Sequence, residues 1–428
     1  MNARPRLLFL AHPFPPLNAP ACVRTWNTAK YLARLGWLVR VVTPDPWLLR
    51  RMRTPPEFTE AVRREGIELV LTGHSWKLLC TSPRGIVSKV VGGIGRRIID
   101  RLQIDTRVGW PQAVMTACRD LTPDDVDVIL ATGSPFISFS IAERLSRRLG
   151  RPFVLDYRDP WTGSPHVDRP WLPRVIEKER SLLKRCDAAI IVSASWARSI
   201  QRQFDLDYLP HVISNGYDPE ELDPVPPHNF GHFAIIYTGG FYPPKRAITP
   251  VMAALRQVAT LRPVGTAGGD WRFHYYGRDN DHVRASAEKF GLLDRVVLHG
   301  PVPRAEALAA LRGAAISVVI TTVLDDATVE DKGIVTGKIF DALGYGVPVL
   351  LVAPRGSDAE SIVTSSGCAR RFLGSETHPM ASYIVELMAG TAPKPAPPRD
   401  YAWPAIAGSL DAILRDAIET SVMRKEVR

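Results

Sequence analysis

Two glycines followed by two cations form the strongest chemical signal in the chain. The segment Tyr237-Thr238-Gly239-Gly240-Phe241-Tyr242-Pro243-Pro244-Lys245-Arg246 reads as a strand end, a tight turn and a basic approach to a helix. Glycines let backbone N–H groups come close to an anion. Lys245 and Arg246 add charge beside a helix start, where the backbone dipole already favours anions. The pattern predicts a diphosphate cradle. Thr336-Gly337-Lys338-Ile339-Phe340-Asp341 opens another helix. A lysine in a first turn opposes the dipole unless an anion is present. Lys338 for phosphate and Asp341 for ribose hydroxyls is one reading. A pair three residues apart on an exposed helix, worth only tenths of a kcal/mol, is the other.

A second group lies at Val154-Leu155-Asp156-Tyr157-Arg158-Asp159-Pro160-Trp161. An apolar strand ends there in two carboxylates and a guanidinium, and the proline stops it. Such charges are expensive to bury unless paired. They make either a ligand site at a strand's carboxyl end or a structural Arg–Asp pair. Arg24, in the first turn of the first helix, is either solvated or an anion contact. Asp279-Asn280-Asp281 has the form of a metal-binding DxD triplet, but Asp281 can equally cap a helix. Ser357 or Asp358 suits the same capping role.

These residues need a scaffold that places them on loops. Strands are expected at 6–11, 38–43, 67–71, 126–132, 153–157, 188–192 and 212–214, with helices between them, notably 23–35 and 137–149. Residues 222–229 carry three prolines and read as a linker. The alternation then restarts, with strands at 234–238, 271–276, 295–298, 316–320 and 347–352. Helices follow the same rhythm at 248–260, 281–290, 304–310, 336–344 and 358–365. A second proline-rich break at 392–398 precedes a terminal helix at 404–419. Repeated βα units build parallel sheets, so the fold class is α/β with two doubly wound domains and a final helix. Two such domains facing each other make a cleft, with ligands beyond the carboxyl ends of the strands.

Composition fits a globular protein. The 428 residues, at roughly 150 per domain, suggest two or three domains. Hydrophobic residues make up 45% and charged residues 23%, which excludes wholesale disorder and fibrous architecture. Mean hydropathy is −0.05 and no apolar run reaches the ~18 residues of a spanning helix. The opening residues imitate a signal peptide, but the apolar core is short and Pro13, Pro15 and Pro16 follow at once; we read a cytosolic first strand. Five scattered cysteines exclude a disulfide scaffold and a structural zinc site. Net charge is +10, which fits nucleic acid, anionic membrane or phosphorylated substrates. Nucleic acid fits poorly, because aromatics are not interleaved with cations and no recognition signature appears. In 86–102, Ile86, Val87, Val91, Ile94, Ile98 and Leu102 are apolar, with Lys89, Arg96, Arg97 and Arg101 on another face. A basic amphipathic helix suits an anionic membrane surface, or packing on its own domain.

In this order and spacing the segments resemble those of GT-B glycosyltransferases, and among them the retaining family 4. The carriers are the Pro-rich first loop through Arg24, the Asp156–Trp161 strand end, and Ser214-Asn215-Gly216-Tyr217-Asp218. They continue with the 237–242 turn, the Gly277-Arg278 loop and Thr336–Pro348. The first loop lacks GxGxxG, which disfavours dinucleotide binding. The resemblance implies an acceptor domain at 1–221 carrying helix 401–428, a linker at 222–229 and a nucleotide-sugar donor domain at 230–400. It implies no metal cofactor. Lys245 matches the family's phosphate lysine and Asp341 the second glutamate of its E-x7-E pattern. The first glutamate falls on Gly333, with Glu330 or Asp331 as substitutes, and the arginine five residues before the lysine is Gly240. Two positions where relatives carry histidine read Gly133-Ser134-Pro135 and Arg158-Asp159. Expected catalytic residues are therefore Lys245, Asp341, Asp159 and Arg158. Expected substrate contacts are Gly239, Gly240, Arg246, Lys338, Gly337, Arg278, Arg24, Asn18, Ser134 and Asp156. The expected acceptor is a glycan or lipid-linked glycan of bacterial surface polysaccharide assembly, met in the cytoplasm or at the inner membrane face. A nucleotide-sugar epimerase and a non-catalytic membrane-docking subunit share the same fold.

Overall fold

The computed structural model describes residues 4–17, 19–47, 54–73, 101, 103, 109–165, 167, 170–262, 270–367, 369–390 and 397–426. They form two compact units. One holds Met1–Val192, Trp196–Ser214 and Trp403–Arg428, the other Ser193–Ser195 and Asn215–Ala402.

The first unit is built on β1 (Arg6–Leu10), β2 (Leu38–Pro44), β3 (Glu68–Thr72), β4 (Val128–Gly133), β5 (Phe153–Tyr157), β6 (Ala188–Ile191) and β7 (His211–Val212). Their order is β3-β2-β1-β4-β5-β6-β7, and every pairing is parallel. The central strands are continuous apolar runs because helices cover both faces of a parallel sheet. Leu7, Leu8, Phe9 and Leu10 are all buried. The strand order reverses between β1 and β4, so the loops after these two flank the switch point, where such sheets take ligands. The strand expected at 212–214 is the two-residue β7.

The terminal helix Trp403–Glu426 packs on helix Pro20–Arg34 and so returns the chain end to the first unit. Trp403, Ile406, Ala407, Leu410, Leu414 and Ala417 recur at helical spacing and join the core of Leu7, Phe9, Ala29 and Leu32. The Trp37 indole N–H donates to Asp411 Oδ1 at 2.6 Å and fixes the helix register.

The second unit holds β8 (Phe233–Thr238), β9 (Trp271–Tyr276), β10 (Val296–Leu298), β11 (Ile316–Ile320), β12 (Val349–Val352) and β13 (Ala369–Phe372). Their order is β10-β9-β8-β11-β12-β13, again all parallel. Here the switch lies between β8 and β11, which places the 239–248 loop and the β11–β12 connection beside it. Residues 223–229 lie against helix Arg304–Gly313. The His228 N–H donates to Ala309 O at 2.8 Å, and Arg312 donates to the carbonyls of Asp223 and Val225. A Cβ on Gly313 would meet His228 O at 1.9 Å, so glycine permits this approach.

Three histidines chain across the same unit. His232 Nε2 meets His274 Nε2 at 2.8 Å, and His274 Nδ1 meets His299 Nε2 at 2.9 Å. Each contact needs one proton, so three rings accept only one extra proton before an N–H faces an N–H. Burial, then His299, His232 and Arg272, push His274 down to about 3; burial also lowers His232 and His299.

Two expectations follow. Trp403→Ala should destabilise the first unit by about 3–5 kcal/mol, and unchanged denaturant unfolding would contradict the packing. His274 is neutral when folded and protonates near 6.5 when unfolded, so the stability it contributes is held above that pH. It falls as pH drops from there toward about 3, by about 1 kcal/mol per pH unit for His274. His274→Phe should flatten the fall in melting temperature between pH 7 and 5.

Candidate functional site

In the second unit the loop after β8 is held by side chains beneath it. The Tyr237 hydroxyl donates to Gly240 O at 3.1 Å and the Tyr275 hydroxyl to Gly239 O at 3.1 Å. Asp279 Oδ2 accepts the Phe241 N–H at 2.8 Å. Gly239 takes φ +100°, which disfavours any side chain there. Its N–H is spent on Tyr276 O at 2.8 Å, so it does not serve an anion in the way the sequence suggested. The Asp279 carboxylate is likewise committed to the loop. Among the described residues no group of three His, Cys, Asp or Glu could hold a metal ion.

Three basic side chains meet this loop. Lys338 does not pair with Asp341. Its Nζ is buried with no hydrogen-bond partner, 3.8 Å from the Tyr237 ring centroid and 3.2 Å from where a Cβ on Gly239 would lie. Burial, then the Arg246 charge, lowers the Lys338 pKa well below its ordinary value. Arg246 Nε is also buried without a partner, and the guanidinium stands 5.2 Å from the Tyr242 ring centroid. Lys245 Nζ donates to Asp331 Oδ1 at 3.1 Å. Of the two acids the sequence left open, Asp331 is thus the one on the lysine. It is fixed by a capping box in which the Thr328 N–H and hydroxyl both donate to Oδ2. Helix Gly337–Gly344 starts without a side-chain cap; Thr336 Oγ1 is buried and unpartnered, and nothing lies within 4 Å of a Cβ on Gly337. Arg278 is exposed.

Asp341 binds Arg304 through two hydrogen bonds of 3.1 and 3.2 Å. Arg304 also grips Glu221 at 2.6 and 2.8 Å. Burial opposes the guanidinium's charge, but Asp341 and Glu221 outweigh it and raise its pKa. Burial raises the Asp341 pKa against the pull of Arg304. Sequence reading missed Arg304 and Glu221, since no short-range spacing links either to Asp341.

In the first unit Arg24 closes a two-point fork on Asp156, at 2.7 and 3.1 Å, and donates to Ser214 O at 3.0 Å. The Thr132 hydroxyl donates to the same carboxylate at 2.8 Å. Arg24 and Asp156 are 4% and 5% exposed, so this pair shapes the strand ends from inside. Arg158 donates to the carbonyls of Gly133 and Ser134, and its Nη1 is buried without a partner. Its pKa is lowered by burial against Asp156 and Asp159. Surrounding protein raises Asp159 to about 6 against the pull of Arg158, and the residue's own exposure limits that shift. Trp161 stacks on Phe136 at 5.1 Å beside these groups. The buried Glu179, pushed up to about 7 by burial, accepts the Thr162 N–H at 2.9 Å and anchors the loop. Asn18 and most of segment 86–102, with Ile86, Val87, Lys89, Arg96 and Arg97, lie outside the described residues; Arg101 is exposed on a helix. No helix among the described residues is long and apolar enough to cross a membrane.

Comparison with known proteins agrees with this architecture. Residues 23–221 match the profile of Glycosyltransferase Family 4. Comparison with curated proteins returns no match. Among solved structures, sucrose-phosphate synthase from Thermosynechococcus elongatus is similar at 14% identity and a TM-score of 0.61, with 99% of each chain covered. HepE from Anabaena, solved with UDP and glucose, is 13% identical over 99% of each chain at a TM-score of 0.54. A glycosyltransferase from Rickettsia africae is 12% identical, covering 99% of this chain and 97% of its own, at a TM-score of 0.57. The match over residues 23–221 is thus to Glycosyltransferase Family 4, and the two parallel sheets give the chain a GT-B-like fold, as in these solved structures.

Proposed function

We propose that the second unit binds a nucleoside-diphosphate sugar with its diphosphate against Lys338, Arg246 and the Gly239-Gly240 turn. The observation that carries this reading is the Lys338 Nζ, buried and without a partner beside Gly239. A buried amine without a partner is costly, and an arriving diphosphate supplies that partner. Lys245, held by Asp331, adds charge as the leaving group departs. Gly337 leaves room at the helix start, whose N–H groups favour an anion. Asp341, oriented by Arg304, takes donor hydroxyls. Arg278 lies exposed on the loop after β9 and reaches the nucleotide from there.

The first unit takes the acceptor. Arg158, Asp159 and Ser134 line it at the ends of β4 and β5, while Arg24 and Asp156 hold those ends in place. Asn18, on the first loop, joins them by its sequence position. The reaction is retaining: the acceptor hydroxyl attacks the face from which the diphosphate leaves and gives its proton to that leaving group. Preorganised cations facing the charge that develops supply most of such a rate enhancement. The acceptor class we favour is a lipid-linked glycan met at an anionic membrane face inside the cell. The net charge of +10 and the basic pattern of 86–102 support it.

A panel of nucleotide sugars with EDTA present tests the donor site. One diphosphate sugar should raise the melting temperature without added metal, and no response to any of them would contradict the reading. Lys245→Ala and Lys338→Ala should each cut nucleotide release from that donor by roughly 100-fold or more with folding retained. Normal turnover in a folded variant would remove that lysine from the site.

A further inference from the structure

The geometry points to proton-coupled donor binding: Lys338, its Nζ buried without an acceptor, is a neutral amine until a nucleoside diphosphate binds and then takes one proton from solvent. This rests on the donor site proposed above. The Nζ has no hydrogen-bond acceptor and almost no contact with water. Around it stand Arg246 and Tyr237, with no carboxylate bonded to it. The nearby carboxylates are engaged elsewhere, Asp331 with Lys245 and Asp279 with the Phe241 N–H. Asp341, on the same helix, faces Arg304. The Tyr237 ring face favours a cation, but burial and the Arg246 charge oppose one, and the lowered pKa follows from those two.

A diphosphate reverses this balance. Its oxygens accept hydrogen bonds from the ammonium and its charge offsets Arg246, so the protonated form becomes the stable one. The amine gains one proton from solvent and no other bond changes. The site thereby avoids holding two unpaired cations together before the donor binds, and presents both once the leaving group is in place.

Calorimetric titration of the full chain with UDP, in Hepes, Tricine and Tris at pH 8, tests the inference. The terminal phosphate of UDP is already ionised there, its second pKa being about 6. The observed enthalpy should vary with buffer ionisation enthalpy, with a slope of roughly one proton taken up per UDP bound. Lys338→Arg, permanently charged, should bind UDP with that slope abolished. Lys338→Met should bind it at least tenfold more weakly, also without uptake. Binding whose enthalpy is the same in all three buffers would overturn the proton uptake and leave the donor site standing. So would an undiminished slope in Lys338→Arg, since the proton then goes elsewhere. If UDP gives neither heat nor a rise in melting temperature, the donor-site reading falls, and the proton uptake with it.

Discussion

Two basic side chains at the carboxyl edge of the second sheet, each with a buried nitrogen that lacks a partner, are the constraint that organises this molecule. Lys338 and Arg246 each bury a nitrogen without a partner, and Lys338 does so with the Arg246 charge nearby. A fold bears such a cost only where surrounding structure holds the groups in place. Tyr237, Tyr275 and Asp279 do that here by fixing the 239–241 backbone from below. Gly277 belongs to the same arrangement, because a Cβ there would meet the Tyr275 hydroxyl at 2.2 Å and Gly239 O at 2.5 Å. The reversal of strand order between β8 and β11 brings the two cation-bearing connections side by side.

The first unit solves the opposite problem. Its Arg24 charge is neutralised internally by Asp156, and Arg158 donates to the Gly133 and Ser134 carbonyls. Removing one partner of a buried pair costs about 3–5 kcal/mol, whereas an exposed pair such as Arg63–Glu60 contributes at most about 1 kcal/mol. The Arg24–Asp156 fork is therefore architecture, and it leaves Asp159 and Ser134 as the exposed polar groups at the ends of β4 and β5. A frame of this kind suits an acceptor bound through hydroxyls. The unpartnered basic nitrogens of the second unit suit a diphosphate.

The parallel strands were legible because burial on both faces forces continuous apolar runs. β13 was not, since its Ala-Arg-Arg-Phe sequence looks polar. Arg370 and Arg371 are satisfied by Glu386, Glu360 and Glu376, contacts that no local pattern reveals. The same divide runs through the site. The glycine turn and its cations are local and could be read directly. Whether Lys338 turns to Asp341 or away is decided by Tyr237 on another strand. The carboxylate facing Lys245 is Asp331, and spacing alone could not separate it from Glu330. Arg304 lies 37 residues before Asp341 and 83 after Glu221, so the network joining them exists only in three dimensions.

A crystal structure of the chain with UDP would show where a diphosphate sits. The terminal phosphate should lie within hydrogen-bond distance of Lys338 Nζ, beside Arg246 and the Gly240 turn. Nucleotide bound elsewhere, with Lys338 still buried against Tyr237 and no phosphate on it, would rule that site out.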